Sequence, residues 1–257
     1  MDLFAQVSQW TELARSGEEL TAWQSFAVDF YQAFIEANRW QQYLEGVGTT
    51  LFVTALALII GIILGSVVAF IRVTHDQQRA GHKNPVLGFF NLICKVYSTV
   101  IRGTPMMVQL YIMGLVIFSS SREFTLVGAL SLGINSGAYV SEIIRGGLMA
   151  VDPGQMEAGR SLGLNYTTTM FLVVVPQAIK SVLPSLGNEF IILLKDTSLI
   201  TVIGGKELLH AAQGVMNRTY EQMFPLFGIA AIYLVLVLLF TWLLGKLERR
   251  LRQSDRR

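Results

Sequence analysis

Cysteine and histidine are scarce in this sequence, and their scarcity excludes several kinds of site. Cys94 is the only cysteine, so an intrachain disulfide and a cysteine-based zinc site are both excluded. We interpret Cys94 as a small buried apolar residue. His75, His82 and His210 show no HExxH or other metal-ligand spacing. We therefore expect no metal site in this chain.

Catalytic motifs are missing as well. The sequence contains no GxxxxGK(S/T) phosphate-binding loop and no GxSxG nucleophile elbow. Serine, histidine and acidic residues all occur, but no spacing between them indicates a catalytic triad. We therefore expect that the chain is not an enzyme.

Charged residues make up only 15% of the chain, whereas 52% of its residues are hydrophobic and its mean hydropathy is +0.49. This composition is more apolar than that of a typical soluble protein. The formal net charge of +2 gives no basis for binding nucleic acid. The composition therefore predicts a protein of the lipid bilayer.

Five apolar segments predict five membrane-spanning helices, because each segment is long enough to cross the hydrocarbon of a bilayer. The predicted spans lie at about 47–71, 86–119, 124–149, 166–194 and 223–244. They form a transmembrane domain at 46–247, between an N-terminal extension at 1–45 and a basic tail at 248–257.

The distribution of charge predicts the orientation of these spans. Residues 1–45 hold seven acidic and two basic residues, whereas basic residues prevail in the loop 72–84 and in the tail. By the positive-inside rule, the N-terminus lies outside and the C-terminus is cytoplasmic. Residues 195–221 are then interpreted as an outside loop.

The extension carries an aromatic stripe at helical spacing, which predicts an amphipathic helix at the membrane interface. The stripe consists of Trp23, Phe26, Phe30, Phe34 and Ala37.

The second span is irregular. Pro105 follows Arg102, Gly103 and Thr104, and it predicts a break because proline removes a backbone donor. Lys95 and Arg102 cannot face lipid cheaply. Either they lie near the cytoplasmic headgroups, which we favour, or they face a cavity.

Two pairs of residues predict contacts within the bundle. Gly61 and Gly65 form a GxxxG pair, which allows another helix to approach closely. Glu142 and Arg145 are three residues apart near the cytoplasmic end of the third span, so they can form an ion pair.

The most specific local pattern predicts a short polar helix at 153–163, between the third and fourth spans. Asp152 is placed as its N-cap, Pro153 at its first position and Gln155 at its third, a variant of the capping box. Gly163 is a natural residue to end it. Glu157 lies beside the small residues Ala158 and Gly159, and this surface allows another protein to come close.

The segment GQMEAGRSLGL resembles the EAA motif of ATP-binding-cassette (ABC) importer permeases. That motif carries Glu-Ala-Ala, a glycine a few residues later and a proline downstream. Here Glu157 and Ala158 match it, as do Gly163 and Pro176, while Gly159 replaces the usual alanine. Glycine costs about 1 kcal/mol of helix propensity against alanine.

Three further stretches resemble permeases for polar amino acids. They are RGTPMMVQL (102–110), SEIIRGG (141–147) and LPSLGNEFIILLKDTSL (183–199). The resemblance covers the chain from about Gly46 to Leu247.

The resemblance implies an all-α membrane protein with the five-span fold of type I ABC importer permeases. It implies a multi-pass location in the bacterial cytoplasmic membrane. The expected partners are a dimer of ABC ATPase subunits on the helix 153–163, a second permease subunit that is identical or a sister chain, and an extracytoplasmic amino-acid-binding protein. ATP and Mg are then held by the partner ATPase, and this chain binds no cofactor itself.

Polar residues at the end of the fourth span offer groups complementary to a zwitterionic amino acid, and they form the predicted substrate pathway. They are Asn188, Glu189, Lys195, Asp196, Thr197 and Ser198. We hypothesise that Glu189 contacts a substrate cation; alternatively, it pairs with Lys195 or caps a distorted helix. The fourth span also contains Pro176 and Pro184, which predict a distorted helix that lines a cavity.

An ion-coupled secondary transporter of small polar solutes is the alternative function. It would explain Glu189 but not the capped cytoplasmic helix. It also predicts internal inverted repeats, and we find none in the sequence.

Overall fold

The computed structural model describes residues 3–78 and 84–254, which are mostly helical. In chain order the helices are α1 (Leu3–Ser16), α2 (Ala22–Phe34), α3 (Arg39–Asp76), α4 (Pro85–Gly103), α5 (Met106–Tyr111), α6 (Phe124–Met149), α7 (Pro153–Ser161), α8 (Tyr166–Thr169), α9 (Val175–Asp196), α10 (Leu208–Thr219) and α11 (Met223–Ser254). Arg79 and Lys83 of the predicted basic loop lie outside the described residues, as does the end of the predicted tail.

The five predicted spans correspond to five helical segments that are long and apolar enough to cross a membrane. Within the described ranges these segments are Ala22–Asp76, Pro85–Gly103, Phe124–Met149, Tyr166–Ile203 and Met223–Leu251. The predicted all-α class with five spans is therefore confirmed.

Helices α3 and α6 pack closely because glycines lie at their contact. A Cβ added at Gly61 would lie 2.8 Å from Ser136 Oγ, and one at Gly65 would lie 2.7 Å from Val140 Cγ1. On α6, a Cβ at Gly133 would lie 2.7 Å from the Cβ of α3 residue Ile60. No side chain fits at these positions without movement, so the close approach predicted from Gly61 and Gly65 is confirmed.

The second predicted span is two helices rather than one. Helix α4 ends at Gly103, Thr104 is extended, and Pro105 precedes α5. The amide of Gln109 spans this break, since its Nε2 donates to Ile101 O at 2.7 Å and to Thr104 O at 3.1 Å. A π-helical turn at Ile112–Ile117 continues α5. The break predicted at Pro105 is confirmed.

The fourth span is distorted, as its prolines predict. Helix α8 passes into a π-helical turn at Met170–Val174 before α9 begins. Pro176 lies in the first turn of α9, where a missing backbone donor costs nothing, and Pro184 lies inside the helix.

The N-terminal extension is joined to the bundle without a break at residue 45. Helix α3 begins at Arg39, after Ala37 and Asn38 adopt positive φ angles of 53° and 56°. Ala37 therefore lies outside the aromatic helix α2, contrary to the prediction. The rings of Phe26 and Phe30 pack against Phe224 of α11, with centroids 4.9 and 5.8 Å away.

The interpretation of 195–221 as a loop was wrong. A 3₁₀ segment at Thr197–Ile203 follows α9, and α10 occupies Leu208–Thr219. The buried Glu207 is the N-cap of α10 and accepts from His210 N at 2.9 Å. Its carboxylate also accepts from the hydroxyls of Thr201 at 2.6 Å and Tyr233 at 2.7 Å.

Candidate functional site: a capped helix and a basic cavity

Helix α7 begins and ends where the sequence predicts. Asp152 Oδ1 accepts from Gly154 N at 2.8 Å, and Pro153 takes the first helical position. At the other end Gly163 has a φ of +83°, a conformation that favours glycine. Leu164 N donates to Gly159 O at 3.1 Å and Gly163 N donates to Arg160 O at 3.0 Å, a complete Schellman motif.

The predicted capping box is only half formed. Asp152 caps the helix, but the side chain of Gln155 does not return to it. Its Oε1 instead accepts from Gln177 Nε2 at 3.1 Å. This bond ties α7 to the first turns of α9, so a polar residue interpreted as a cap serves as a link between helices.

Gly159 faces its own chain rather than a partner. It is buried, and an added Cβ would lie 2.4 Å from Thr169 Cγ2 at the end of α8. The expectation that Gly159 contributes a bare docking surface was wrong for this reason. Its departure from the motif has a local cause, because Thr169 occupies the space that an alanine methyl would need.

The outward face of α7 is formed by Glu157 and Ala158, which are exposed together with Arg160. Leu162, which follows the helix, is 83% exposed. The sequence analysis did not single out Leu162, although a large apolar residue beside a polar helix is a recognisable signal of a contact surface.

The predicted substrate residues are divided between two faces of the fourth span. Glu189 is buried, and its Oε1 accepts from Ser136 Oγ of α6 at 2.7 Å. Thr197 is buried as well. Asn188 and Lys195 are exposed and lie seven residues apart, on one outward face of α9. Neither of the two alternatives for Glu189, pairing with Lys195 or capping a helix, is the contact observed.

Two further members of the predicted set have local roles. The hydroxyl of Ser198 donates to Lys195 O at 2.8 Å, within the 3₁₀ segment that follows α9. Asp196 is the last residue of α9 and is partly buried.

Glu142 is the centre of an ion-pair cluster. Its Oε2 lies 3.0 Å from Arg145 Nε, which confirms the predicted pair. Its Oε1 lies 2.5 Å from Arg72 Nη1 on α3 and 3.3 Å from Arg102 Nη1 on α4. Arg102 also lies over the ring of Tyr139, 5.6 Å from its centroid. Neither Arg72 nor Arg102 was assigned to Glu142 by the sequence.

A cavity of about 340 Å³ opens beside this cluster. The cavity is lined by Arg72, Lys95, Ser98, Thr99, Arg102, Gly103, Tyr139 and Glu142. Lys95 and Arg102 therefore face a cavity, which is the second of the two interpretations offered for them and not the favoured one. Among the described residues, no group of three or more histidine, cysteine or acidic side chains could hold a metal ion.

Comparison with known proteins gives consistent matches. Residues 84–253 match the family described as the binding-protein-dependent transport system inner membrane component. The glutamine transport system permease protein GlnP of Escherichia coli K12 is 35% identical over 214 residues, which cover 81% of this chain and 92% of that protein. The arginine transport system permease protein ArtQ of Bacillus subtilis 168 is 37% identical over 217 residues, covering 82% and 93%.

Two solved structures share the fold. The crystal structure of an amino acid ABC transporter with histidines matches with a TM-score of 0.73 and 41% identity, over 82% of this chain and 94% of that chain. The inward-facing MetNI methionine ABC transporter matches with a TM-score of 0.69 and 16% identity, over 84% and 99%.

Proposed function

The chain belongs to the family of binding-protein-dependent transport system inner membrane components, and we propose that it is the permease subunit of an ATP-driven importer of polar amino acids. It is a multi-pass inner membrane protein with the type I ABC importer permease fold. The proposed substrates follow the glutamine and arginine systems to which its relatives belong.

The observation that carries this proposal is α7. A polar helix closed at both ends by its own caps, and anchored to α9 through Gln155 and Gln177, can transmit a displacement to the fourth span without unwinding. Its exposed Glu157 and Ala158 are the proposed contact for an ATPase subunit, which holds ATP and Mg. Asp152 and Gly163 fix its ends, and Gly159 holds it against Thr169.

The remaining partners follow from the same proposal. Two ATPase subunits, a second permease that is identical or a sister chain, and an extracytoplasmic binding protein complete the importer. We propose that the pathway between the two permeases is lined by the outward face of α9 that carries Asn188 and Lys195.

Reconstitution tests the proposed function. The chain is co-expressed with its ATPase and binding protein, and the complex is placed in vesicles for uptake of labelled glutamine and arginine. We expect uptake that requires ATP and the binding protein. Uptake driven by an ion gradient in the absence of ATP would instead establish the secondary transporter.

The proposed orientation places the start of α1 outside and the end of α11 in the cytoplasm. Single cysteines at Gly17 and Glu248, in a Cys94→Ala background, are expected to react differently with a membrane-impermeant maleimide. In intact cells only the cysteine at position 17 is labelled, and the one at position 248 reacts after permeabilisation. The reverse pattern contradicts the proposed orientation.

Glu189 is proposed to hold α9 against α6 through Ser136. We expect Glu189→Gln and Ser136→Ala each to lower the thermal midpoint of the purified complex by a similar amount, since each weakens the same bond, by about 1–3 kcal/mol. Substrate-stimulated ATPase activity should keep its substrate affinity in both variants. An altered affinity in Glu189→Gln alone would place Glu189 in the pathway, as hypothesised from the sequence.

A further inference from the structure

The cavity between α3, α4 and α6 has an excess of positive charge. Arg72, Lys95 and Arg102 line it, and Glu142 is the only carboxylate in its lining within the described chain. Arg145 binds the same carboxylate from the side. Four cations therefore share one anion, and positive charge left uncompensated between membrane helices is costly. The site is electrostatically incomplete without a further anion.

Two polar atoms at this cavity have no partner. Ser98 is only 5% exposed and Arg72 has a side-chain exposure of 15%, yet Ser98 Oγ and Arg72 Nε make no hydrogen bond to any described residue. Buried polar groups without partners are rare and costly in folded proteins. Both atoms are donors, so an acceptor in the cavity would satisfy them.

The size and lining of the cavity favour a small polar anion. Its volume of about 340 Å³ lies within the range of small-molecule sites, about 300–1,000 Å³. Apart from the ring of Tyr139, every lining residue is charged, a hydroxyl residue or glycine. Such a lining offers no apolar surface for the acyl chains of a phospholipid.

We propose that this cavity binds the carboxylates of an acidic amino acid, so that the polar amino acid carried is anionic, such as L-glutamate or L-aspartate. The inference rests on the proposed function, since it names the substrate class of the importer. Arginine forks suit carboxylates because they donate two parallel hydrogen bonds. A cationic amino acid would be repelled by the same four side chains.

The test measures binding to the permease–ATPase complex in detergent without the binding protein, so that only the membrane site selects. L-glutamate, L-glutamine and L-arginine are titrated separately and the thermal midpoint is recorded. We expect L-glutamate to raise the midpoint at the lowest concentration and L-arginine to have no effect. Arg102→Gln is the first variant because that side chain is 43% exposed, so its loss is tolerated by the fold.

Arg102→Gln is expected to weaken the L-glutamate response about tenfold and to leave the other two titrations unchanged. Lys95→Gln, at another exposed lining position, should act in the same direction. Arg249→Gln on α11 is the matched control, since it removes a positive charge outside the cavity. An L-glutamate response that is unchanged in both cavity variants, or equally reduced in the control, overturns the inference.

Two further outcomes separate this inference from its premise. If the complex forms but responds to L-glutamine or L-arginine as strongly as to L-glutamate, only the inference fails. If no ATPase co-purifies with the chain, the proposed function fails as well. Loss of the L-glutamate response in nanodiscs containing anionic phosphatidylglycerol, with retention in neutral ones, would assign the cavity to a lipid headgroup and overturn the inference.

Discussion

Glu157→Lys is expected to abolish ATP-driven uptake while leaving the chain inserted in the membrane. The side chain is exposed in the middle of α7, away from both caps, so its replacement leaves the helix intact. Reversing a charge at the contact with the ATPase should cost about 2–5 kcal/mol of docking free energy. A loss of this size lowers the affinity for the ATPase by more than about tenfold.

Co-purification of the ATPase and ATP-dependent uptake measure this effect directly. Glu123→Lys is the matched control, because it makes the same change of net charge at an exposed position before the first residue of α6, at the opposite end of that helix from α7. The control should retain both the ATPase and uptake. Normal co-purification and uptake with Glu157→Lys would show that α7 is not the coupling contact.

The importance of α7 could be predicted from the sequence because its signals are local. A helix cap depends on residues adjacent in the chain, so Asp152, Pro153 and Gly163 fix both ends without reference to the rest of the fold. The same is true of Pro105, which breaks the second span through its own ring. Local stereochemistry decided these features, and the structure agrees with each of them.

The faces of short helices were not predictable in this way. Helix α7 has nine residues, too few for a repeated apolar pattern to indicate which side is buried. The sequence therefore placed Gly159 at a docking surface, whereas Thr169 covers it. Helix α10 was missed because its composition is polar, although Leu208, Ala212 and Val215 recur at helical spacing and are all buried.

The contacts of charged residues depend on pairings distant in the chain. Glu142 was correctly paired with Arg145 three residues away, but Arg72 is 70 positions distant in sequence. Its contact arises because the glycines of α3 and α6 bring the two helices together. Glu189 finds Ser136 for the same reason. The basic cavity is thus a consequence of helix packing, and packing is also what the second large effect tests.

Gly65→Leu is expected to prevent α3 and α6 from packing. A Cβ at this position would lie 2.7 Å from Val140 Cγ1 and 2.9 Å from Ser141 N, so both a side chain and backbone must move. Overpacking of a tight contact costs about 1–3 kcal/mol, and a leucine here exceeds a single methyl group. Displacement of α6 also carries Glu142 away from Arg72, which links this packing to the basic cavity.

Gly48→Leu on the same helix is the matched control for Gly65→Leu, because an added Cβ at Gly48 meets nothing within 4 Å. Both variants are expressed and their yield and thermal midpoint are measured in detergent. We expect the Gly65 variant to lose most of its folded yield, since helices in a membrane associate through close packing rather than through exclusion of water. Equal midpoints for the two variants would show that α3 and α6 tolerate separation, and that the glycines are not what holds them together.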